Sequence, residues 1–251
     1  AVSPPGSPAA CAFVLALGVH SRARPYTRAL QRTHGPAVIQ LWRVDEACSG
    51  SSLQLALVHD GSDTRQLVWA EPSRTGSRLG LLGAVLGDGT LQLFSIPLLP
   101  FTGEALADPM QAFYNFPPAC RVDDAAWRVC SIAARPGPGG GLVLAGGCDG
   151  ARVFLWELKA EAGAAGTLVG SPAAGAILHA AYPERPDVLS MAWMPPPDDH
   201  LLLAGMADGR IVVWNRDMPA SPIYDYISLV RTPVLGLHPF PDFWVGALQS
   251  E

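Results

Sequence analysis

The amino-acid sequence predicts an all-β fold, a β-propeller with degenerate repeats, because two local features recur about every 60 residues. The first feature is an Asp-Gly pair at Asp88, Asp149 and Asp208, and successive pairs lie 61 and 59 residues apart. Each pair separates an apolar run from a second run that contains a large aromatic residue near its end. Asp-Gly between two such runs is a strong signal for a tight hairpin, since glycine adopts positive φ without steric strain. Each repeat is therefore expected to contain a hairpin.

The second feature is a short strand that precedes each hairpin and ends near a proline. Trp69, Ala133 and Trp193 take equivalent places in these strands, 64 and 60 residues apart. Weaker fourth strands are predicted at Leu53–His59, Gln111–Phe116 and Ala176–Ala181. Four strands repeated along the chain are typical of propeller blades, which are four-stranded sheets arranged around an axis.

The repeats divide residues 12–251 into about four blades and part of a fifth, so the expected ring is incomplete. In the first blade a long insertion, His20–Pro36, separates the strands Ala12–Gly18 and Ala37–Trp42. The predicted bounds of the blades, in chain order, are 12–59, 66–116, 127–181, 188–227 and 233–251. Residues 1–11, a lead rich in Pro and Ser, are predicted to be disordered. A β-sandwich is the alternative fold, but its turn signals recur every ~8–12 residues without a longer period.

Composition excludes several classes of protein. Hydrophobic residues make up 49% of the chain and charged residues 16%, which is enough apolar surface for a folded core. The net charge of −5 argues against a basic nucleic-acid-binding domain. The longest apolar run, Leu79–Leu86, is shorter than the ~20 residues of a membrane helix. The five cysteines contain no CxxC pair, so we expect reduced intracellular thiols rather than a disulfide framework.

Three stretches of the chain resemble a known family. Leu189–Asn215 resembles a blade of the WD-repeat subunit of transcription factor IIIC, the promoter-recognition factor of RNA polymerase III. Leu79–Pro97 is similar to the preceding blade of that subunit, and Gly35–Trp42 is similar to its first blade. Together these stretches extend the resemblance over most of the chain, roughly from Phe13 to Trp214.

The resemblance implies a non-catalytic, nuclear scaffold subunit without a cofactor. It would dock other subunits of transcription factor IIIC, above all the large subunit that binds the promoter box, and its own DNA contact would be indirect or weak. Neither a membrane nor a small-molecule substrate is expected as a partner. The blades end in Trp42-Arg43, Phe94-Ser95, Trp156-Glu157 and Trp214-Asn215 rather than in Trp-Asp, and no Gly-His pair opens them. We therefore expect the hydrogen-bonded tetrad of WD repeats to be absent.

Two other functions fit the same fold, which does not itself decide function. One is an adaptor with WD-like repeats in another complex. The other is a propeller enzyme with acidic residues at a central channel, which would need inward-facing polar residues that these apolar strands lack. Asp123-Asp124 and Asp198-Asp199-His200 are adjacent acids in loops, and adjacent strand residues point to opposite faces. We expect surface turns there rather than acid–base pairs, and the six histidines show no metal-ligand spacing.

One basic segment, His20–His34, is the candidate contact loop for a partner or nucleic acid. Arginine forks suit phosphates and acidic protein surfaces. The loop would add a salt-dependent attraction that is independent of sequence. Its candidate contact residues are Arg22, Arg24, Tyr26, Arg28 and Arg32.

A second set of residues is assigned a structural role as repeat positions. Its Asp-Gly pairs form the hairpin turns, and its large aromatics lie at strand ends, where such side chains usually pack in the core. The set is Trp42, Asp88, Gly89, Phe94, Asp149, Gly150, Trp156, Trp193, Asp208, Gly209 and Trp214.

Overall fold

The structure is a computed structural model, and every regular element in its described part is a β-strand. It describes residues 13–19, 35–44, 50–70, 78–97, 113–115, 120–122, 128–137, 141–158, 177–179, 186–218, 222–227, 231–240 and 244–248. The predicted lead at 1–11 and residues 20–34 of the predicted insertion His20–Pro36 lie outside these residues. The described strands, in chain order, are β1 Phe13–Val19, β2 Ala37–Val44, β3 Ser51–His59, β4 Thr64–Ala70, β5 Arg78–Leu86, β6 Leu91–Pro97, β7 Phe113–Asn115, β8 Cys120–Val122, β9 Val129–Pro136, β10 Leu142–Cys148, β11 Arg152–Leu158, β12 Ile177–His179, β13 Val188–Trp193, β14 Leu201–Met206, β15 Arg210–Asn215, β16 Tyr224–Ile227, β17 Val234–Pro239 and β18 Trp244–Leu248.

The strands form four four-stranded sheets and one two-stranded sheet. The strand orders are β1-β2-β3-β7 in the first sheet, β4-β5-β6-β8 in the second, β12-β11-β10-β9 in the third, β13-β14-β15-β16 in the fourth and β17-β18 in the fifth. The chain separates into two compact units, of which one holds the first two sheets and the other holds the remaining three. That residues 12–251 form a single propeller domain stays a prediction.

The second, third and fourth sheets repeat one antiparallel pattern that begins with a register irregularity. The ladder of the fourth sheet shifts between Val188 and Ser190, and that of the second sheet shifts between Thr64 and Gln66. After these shifts Trp69 pairs with Leu82 as Trp193 pairs with Leu202. The third sheet has its irregularity at the same end of the ladder.

The predicted equivalence of Ala133 with Trp69 and Trp193 is wrong by one residue. Ala134 pairs with Leu144, which holds the place of Leu82 and Leu202, so Ala134 and not Ala133 is the equivalent of the two tryptophans. The physical reason is that the three hairpins are equally long, but in the third the Asp-Gly pair stands one residue earlier in its turn, and Ala151 follows it at a φ of 58°. A one-residue slip in a strand moves each side chain to the other face.

The first sheet differs from the repeat pattern in its outermost strand. β7 pairs in parallel with β3, through Ala56 with Phe113 and Val58 with Asn115. The predicted fourth strand of the second blade, Gln111–Phe116, is therefore assigned to the wrong sheet, and β8 is the outer strand of the second sheet. A short outer strand carries little alternation of buried and exposed residues, so its sequence does not specify its neighbour.

Each compact unit has its own apolar core between facing sheets. In the first unit, residues of the first sheet such as Ile39 and Leu57 cluster with residues of the second such as Leu82 and Phe94. In the second unit the cluster between the third and fourth sheets contains Leu155, Trp193 and Trp214, among others. A smaller cluster of Leu203, Ile211 and Val234 joins the fourth sheet to the fifth.

Candidate protein-interaction surface

Two of the three Asp-Gly hairpins use the aspartate carboxylate to close their own turn. Asp88 Oδ1 accepts hydrogen bonds from the Thr90 backbone nitrogen at 2.9 Å and from Thr90 Oγ1 at 2.8 Å. Asp208 Oδ1 accepts one from the Arg210 nitrogen at 3.1 Å. Gly89 and Gly209 follow with φ values of 88° and 84°, a region that favours glycine. Asp88 and Asp208 therefore stabilise the turns in which they lie.

Two serines link neighbouring sheets of the second unit. Ser131 Oγ donates to the Val188 carbonyl at 2.8 Å, and Ser190 Oγ donates to the Val234 carbonyl at the same distance of 2.8 Å. Both serines are buried, with 0% and 3% exposure. The same hydrogen bond thus joins the third sheet to the fourth and the fourth sheet to the fifth.

An ion pair reinforces the first of these joins. Arg128 Nη2 lies 3.0 Å from Asp187 Oδ2, and the two side chains are only 12% and 16% exposed. Asp187 Oδ1 also accepts from the Gly150 nitrogen at 3.4 Å, and Asp149 Oδ1 accepts from the Arg128 nitrogen at 3.2 Å. Asp187 is therefore ion-paired and Asp149 is held by a backbone amide, so both carboxylates contribute to the join between the sheets.

The predicted turn at Asp198-Asp199-His200 also has a structural partner. Arg135 Nη1 donates to the Asp199 carbonyl and lies 3.3 Å from Asp199 Oδ2. The guanidinium carbon of Arg135 stands 5.3 Å from the ring centroid of Trp193, which is a cation–π geometry. This arginine therefore joins the third sheet to the fourth.

His59 is a buried histidine whose pKa departs from its usual value. Its side chain is 7% exposed, and Nε2 lies 3.4 Å from Thr64 Oγ1 while Nδ1 is buried without a partner. Burial lowers the pKa below 6.5, and the charges of Asp60 and Asp88 oppose that shift only in part. Burial therefore favours the neutral form of the ring.

The residues predicted from the sequence divide between the core and the undescribed part. Arg22, Arg24, Tyr26, Arg28 and Arg32 all lie outside the described residues. Trp42 is half-buried and donates from Nε1 to Gln40 Oε1 at 3.0 Å. The other aromatic repeat positions, with exposures between 0% and 8%, are Phe94, Trp156, Trp193 and Trp214. Trp214 Nε1 is buried without a hydrogen-bond partner, so the tetrad of WD repeats is absent at this tryptophan.

One exposed apolar surface was missed by the sequence reasoning. The side chains of β16 are all exposed, and Tyr224 and Tyr226, which we call the tyrosine pair, are 71% and 56% exposed. Ile223, which precedes the strand, is 48% exposed. A signal was present in the sequence, because Tyr-Asp-Tyr-Ile is rich in strand-forming residues and places its aromatics at alternate positions.

The described residues contain no cluster of His, Cys, Asp and Glu side chains that would hold a metal ion. In the same part of the chain, no helix has the length and hydropathy needed to cross a membrane. What the geometry does offer is a set of firmly joined sheets and an exposed aromatic strand.

These sheets define the class of the protein, which is an all-β β-propeller with degenerate WD-like repeats. Among solved structures it is similar to Sqt1 of Saccharomyces cerevisiae, with 12% identity and a TM-score of 0.57 over 98% of this chain and 56% of that one. It is also similar to Sqt1 of Chaetomium thermophilum, with 17% identity and a TM-score of 0.56 over 94% of this chain and 49% of that one. The chain thus spans about half the length of the structures it matches.

A further structure of the Chaetomium thermophilum protein is bound to the N-terminus of the ribosomal protein L10. That structure and this chain share 15% identity, and they align with a TM-score of 0.50 over 81% of this chain and 48% of that one. At such identities the likeness shows the fold alone. No protein-family model matches the sequence, and no curated protein matches it either.

Proposed function

We propose that this protein is a non-catalytic adaptor whose propeller sheets hold a surface in place for a protein partner. One contrast among the described residues carries the proposal: polar side chains are buried where the sheets join, and aromatic side chains are exposed at the rim. The buried serines and the half-buried ion pair join one sheet to the next, whereas the tyrosine pair is left in water. Exposed aromatic surface is typical of protein interfaces. A structural neighbour with a bound protein segment supports the same reading.

The finer proposal is that the complex is transcription factor IIIC, in the nucleus, and that the partner is its large promoter-binding subunit. It rests on the sequence resemblance at Leu79–Pro97 and Leu189–Asn215. Within this proposal Arg22, Arg24, Tyr26, Arg28 and Arg32 remain the candidate loop for an acidic partner or for DNA, with a contribution that weakens as salt rises.

The experiment that tests both levels is affinity capture of the full-length tagged protein from its own cells, followed by mass spectrometry. A stoichiometric protein partner that survives repeated washing supports the adaptor. Recovery of the large promoter-binding subunit and of polymerase III factors supports the finer proposal. A different complex at adequate depth overturns the finer proposal only, and a protein that always purifies alone overturns both.

A further inference from the structure

The outer edge of the fourth sheet is formed by β16, and no other described strand pairs with that edge. β16 pairs on its inner side with β15, from Arg210 with Ile227 to Val213 with Tyr224, without a register shift. All four of its side chains are exposed. The structure therefore presents an extended, regular strand at the rim of the sheet.

β16 lacks the features that usually protect such an edge from other strands. Soluble proteins place lysine, proline, an inward charge or a bulge on exposed edges, because unpaired backbone groups invite a further strand. Residues 224–227 contain no lysine, proline or bulge. The only charged residue among them, Asp225, lies 3.3 Å from Arg210 Nη1, an arginine that it shares with Asp208, so its charge is compensated in part. An edge that is rich in aromatic and β-branched residues, and whose single charge is ion-paired within the sheet, favours pairing.

The protein itself shows what can occupy such an edge. β3 holds the same place in the first sheet, because it is the strand that leads into the next sheet, as β16 leads into β17. The three-residue strand β7 adds to β3 in parallel. The paired residues Ala56 and Leu57 are 0% exposed. A short extended segment is thus sufficient to extend a sheet of this chain.

The tyrosine pair would give an added strand a place for its side chains. Tyr226 is in register with Ile211, and Tyr224 is in register with Val213, so each pair shares one face of the sheet. On that face Ile211 packs with Leu203 and Val234 between the fourth and fifth sheets. The exposed rings therefore continue an apolar interface that already exists, and alternate side chains of an added strand would pack against them.

We propose that β16 is a strand-addition site that binds an extended segment of a protein partner with apolar side chains at alternate positions. The backbone of the segment would pair with the edge, and its apolar side chains would cover the tyrosine pair. This inference rests on the proposed adaptor function and names the surface through which it acts.

The test uses the full-length protein in its own cells, with the photoreactive residue p-benzoyl-phenylalanine in place of Tyr226. A matched control places the same residue at Met218, which is 70% exposed and lies outside the strand. After irradiation, mass spectrometry identifies the segment joined to each position. We expect position 226, and not position 218, to be joined to a segment of another protein.

A second arm tests the edge without photochemistry. Tyr226→Lys places a charge on the strand, and Met218→Lys places the same charge beside it. We expect Tyr226→Lys to reduce the captured partner about tenfold, the effect of losing an aromatic anchor, while Met218→Lys leaves it unchanged. Circular dichroism and melting temperature confirm that both variants fold.

Several outcomes overturn the inference. They are a link from 226 to this chain itself, a link to a second copy of it, equal labelling from both positions, and full retention of the partner by Tyr226→Lys. In each case a captured partner leaves the adaptor proposal standing. Failure to capture any partner with the unmodified protein overturns the adaptor proposal and this inference together.

Discussion

Gly205 lies where the fourth sheet meets the fifth, and its replacement by alanine tests the packing of that join. A Cβ at this position would stand 2.5 Å from Ser190 Oγ, 2.5 Å from Val234 Cγ1 and 2.7 Å from Val234 Cβ. These distances are shorter than real Cβ contacts, so a neighbour must move. Val234 is 0% exposed and β-branched, which leaves it few alternative rotamers.

The magnitude follows from two opposing effects. Forcing a methyl group into a packed interface destabilises by about 1–3 kcal/mol. Replacing glycine by alanine in a strand stabilises the folded state by about 0.5–1 kcal/mol, because alanine loses less backbone entropy on folding. Because three contacts of 2.5–2.7 Å place the cost in the upper part of its range, we expect Gly205→Ala to lower the free energy of unfolding by about 1–2 kcal/mol. For a chain of this size that corresponds to a fall in melting temperature of about 2–8 °C.

Urea denaturation followed by tryptophan fluorescence measures this loss, and an unchanged m-value would show that the unfolded state is not the cause. The control is the double variant Gly205→Ala with Val234→Ala. Because the second substitution removes Val234 Cγ1, one of the three close atoms, and leaves the smaller side chain at position 234 room to move away, the two changes should be less destabilising together than their sum by about 0.5–3 kcal/mol. Additive effects, or a Gly205→Ala protein as stable as the wild type, would refute the packing argument.

Three further predictions concern the joins and the buried histidine. Ser131→Ala should destabilise by about 1–2 kcal/mol, since it removes a buried hydrogen bond to the next sheet, and calorimetry should detect the lower melting temperature. Asp187→Asn should destabilise by about 2–4 kcal/mol, because it leaves the largely buried Arg128 without its counter-charge. The control Asp217→Asn, at an exposed side chain, should change stability by less than about 0.5 kcal/mol. Equal losses of stability for the two variants in urea titrations would contradict this prediction. His59 has its pKa lowered on folding, so the unfolded chain takes up the proton first and stability should fall as pH drops below about 6.5. His59→Gln should flatten that pH dependence of the melting temperature, and an unchanged slope would remove His59 as its cause.

The hairpins could be predicted from sequence because their chemistry is local. Asp-Gly fixes a turn within four residues, and the apolar runs on both sides fix the strands that the turn joins. The hairpin strands β5, β6, β14 and β15 accordingly lie where the pattern places them. The burial of Phe94 and Trp214 follows from the same reasoning, since a large ring between apolar strands is stabilised by leaving water.

One error has a local cause. The Asp-Gly pair of the third hairpin stands one residue earlier in its turn, so a period counted from these pairs does not locate Ala134 as the equivalent residue. The other errors occur where structure depends on residues far away in the chain. The assignment of β7 to β3 depends on which edge is open, which is a property of the folded sheets. The role of Arg128 is hidden for a similar reason, because its partner Asp187 is 59 residues away.

The same distinction explains why the tyrosine pair escaped the sequence reasoning although its residues are conspicuous. Tyr224 and Tyr226 alternate as residues of a half-buried strand do, and a pattern alone predicts that such a face is covered. In the structure the covering sheet protects Ile211 and Val213, on the adjacent strand, more than the two rings. Whether the apolar face of an alternating strand is buried or exposed thus depends on how far the facing sheet extends over it. In repeated sheets of this kind, an outer strand can carry the alternating pattern of a core strand and still expose its apolar side chains, which is the surface proposed here for a partner.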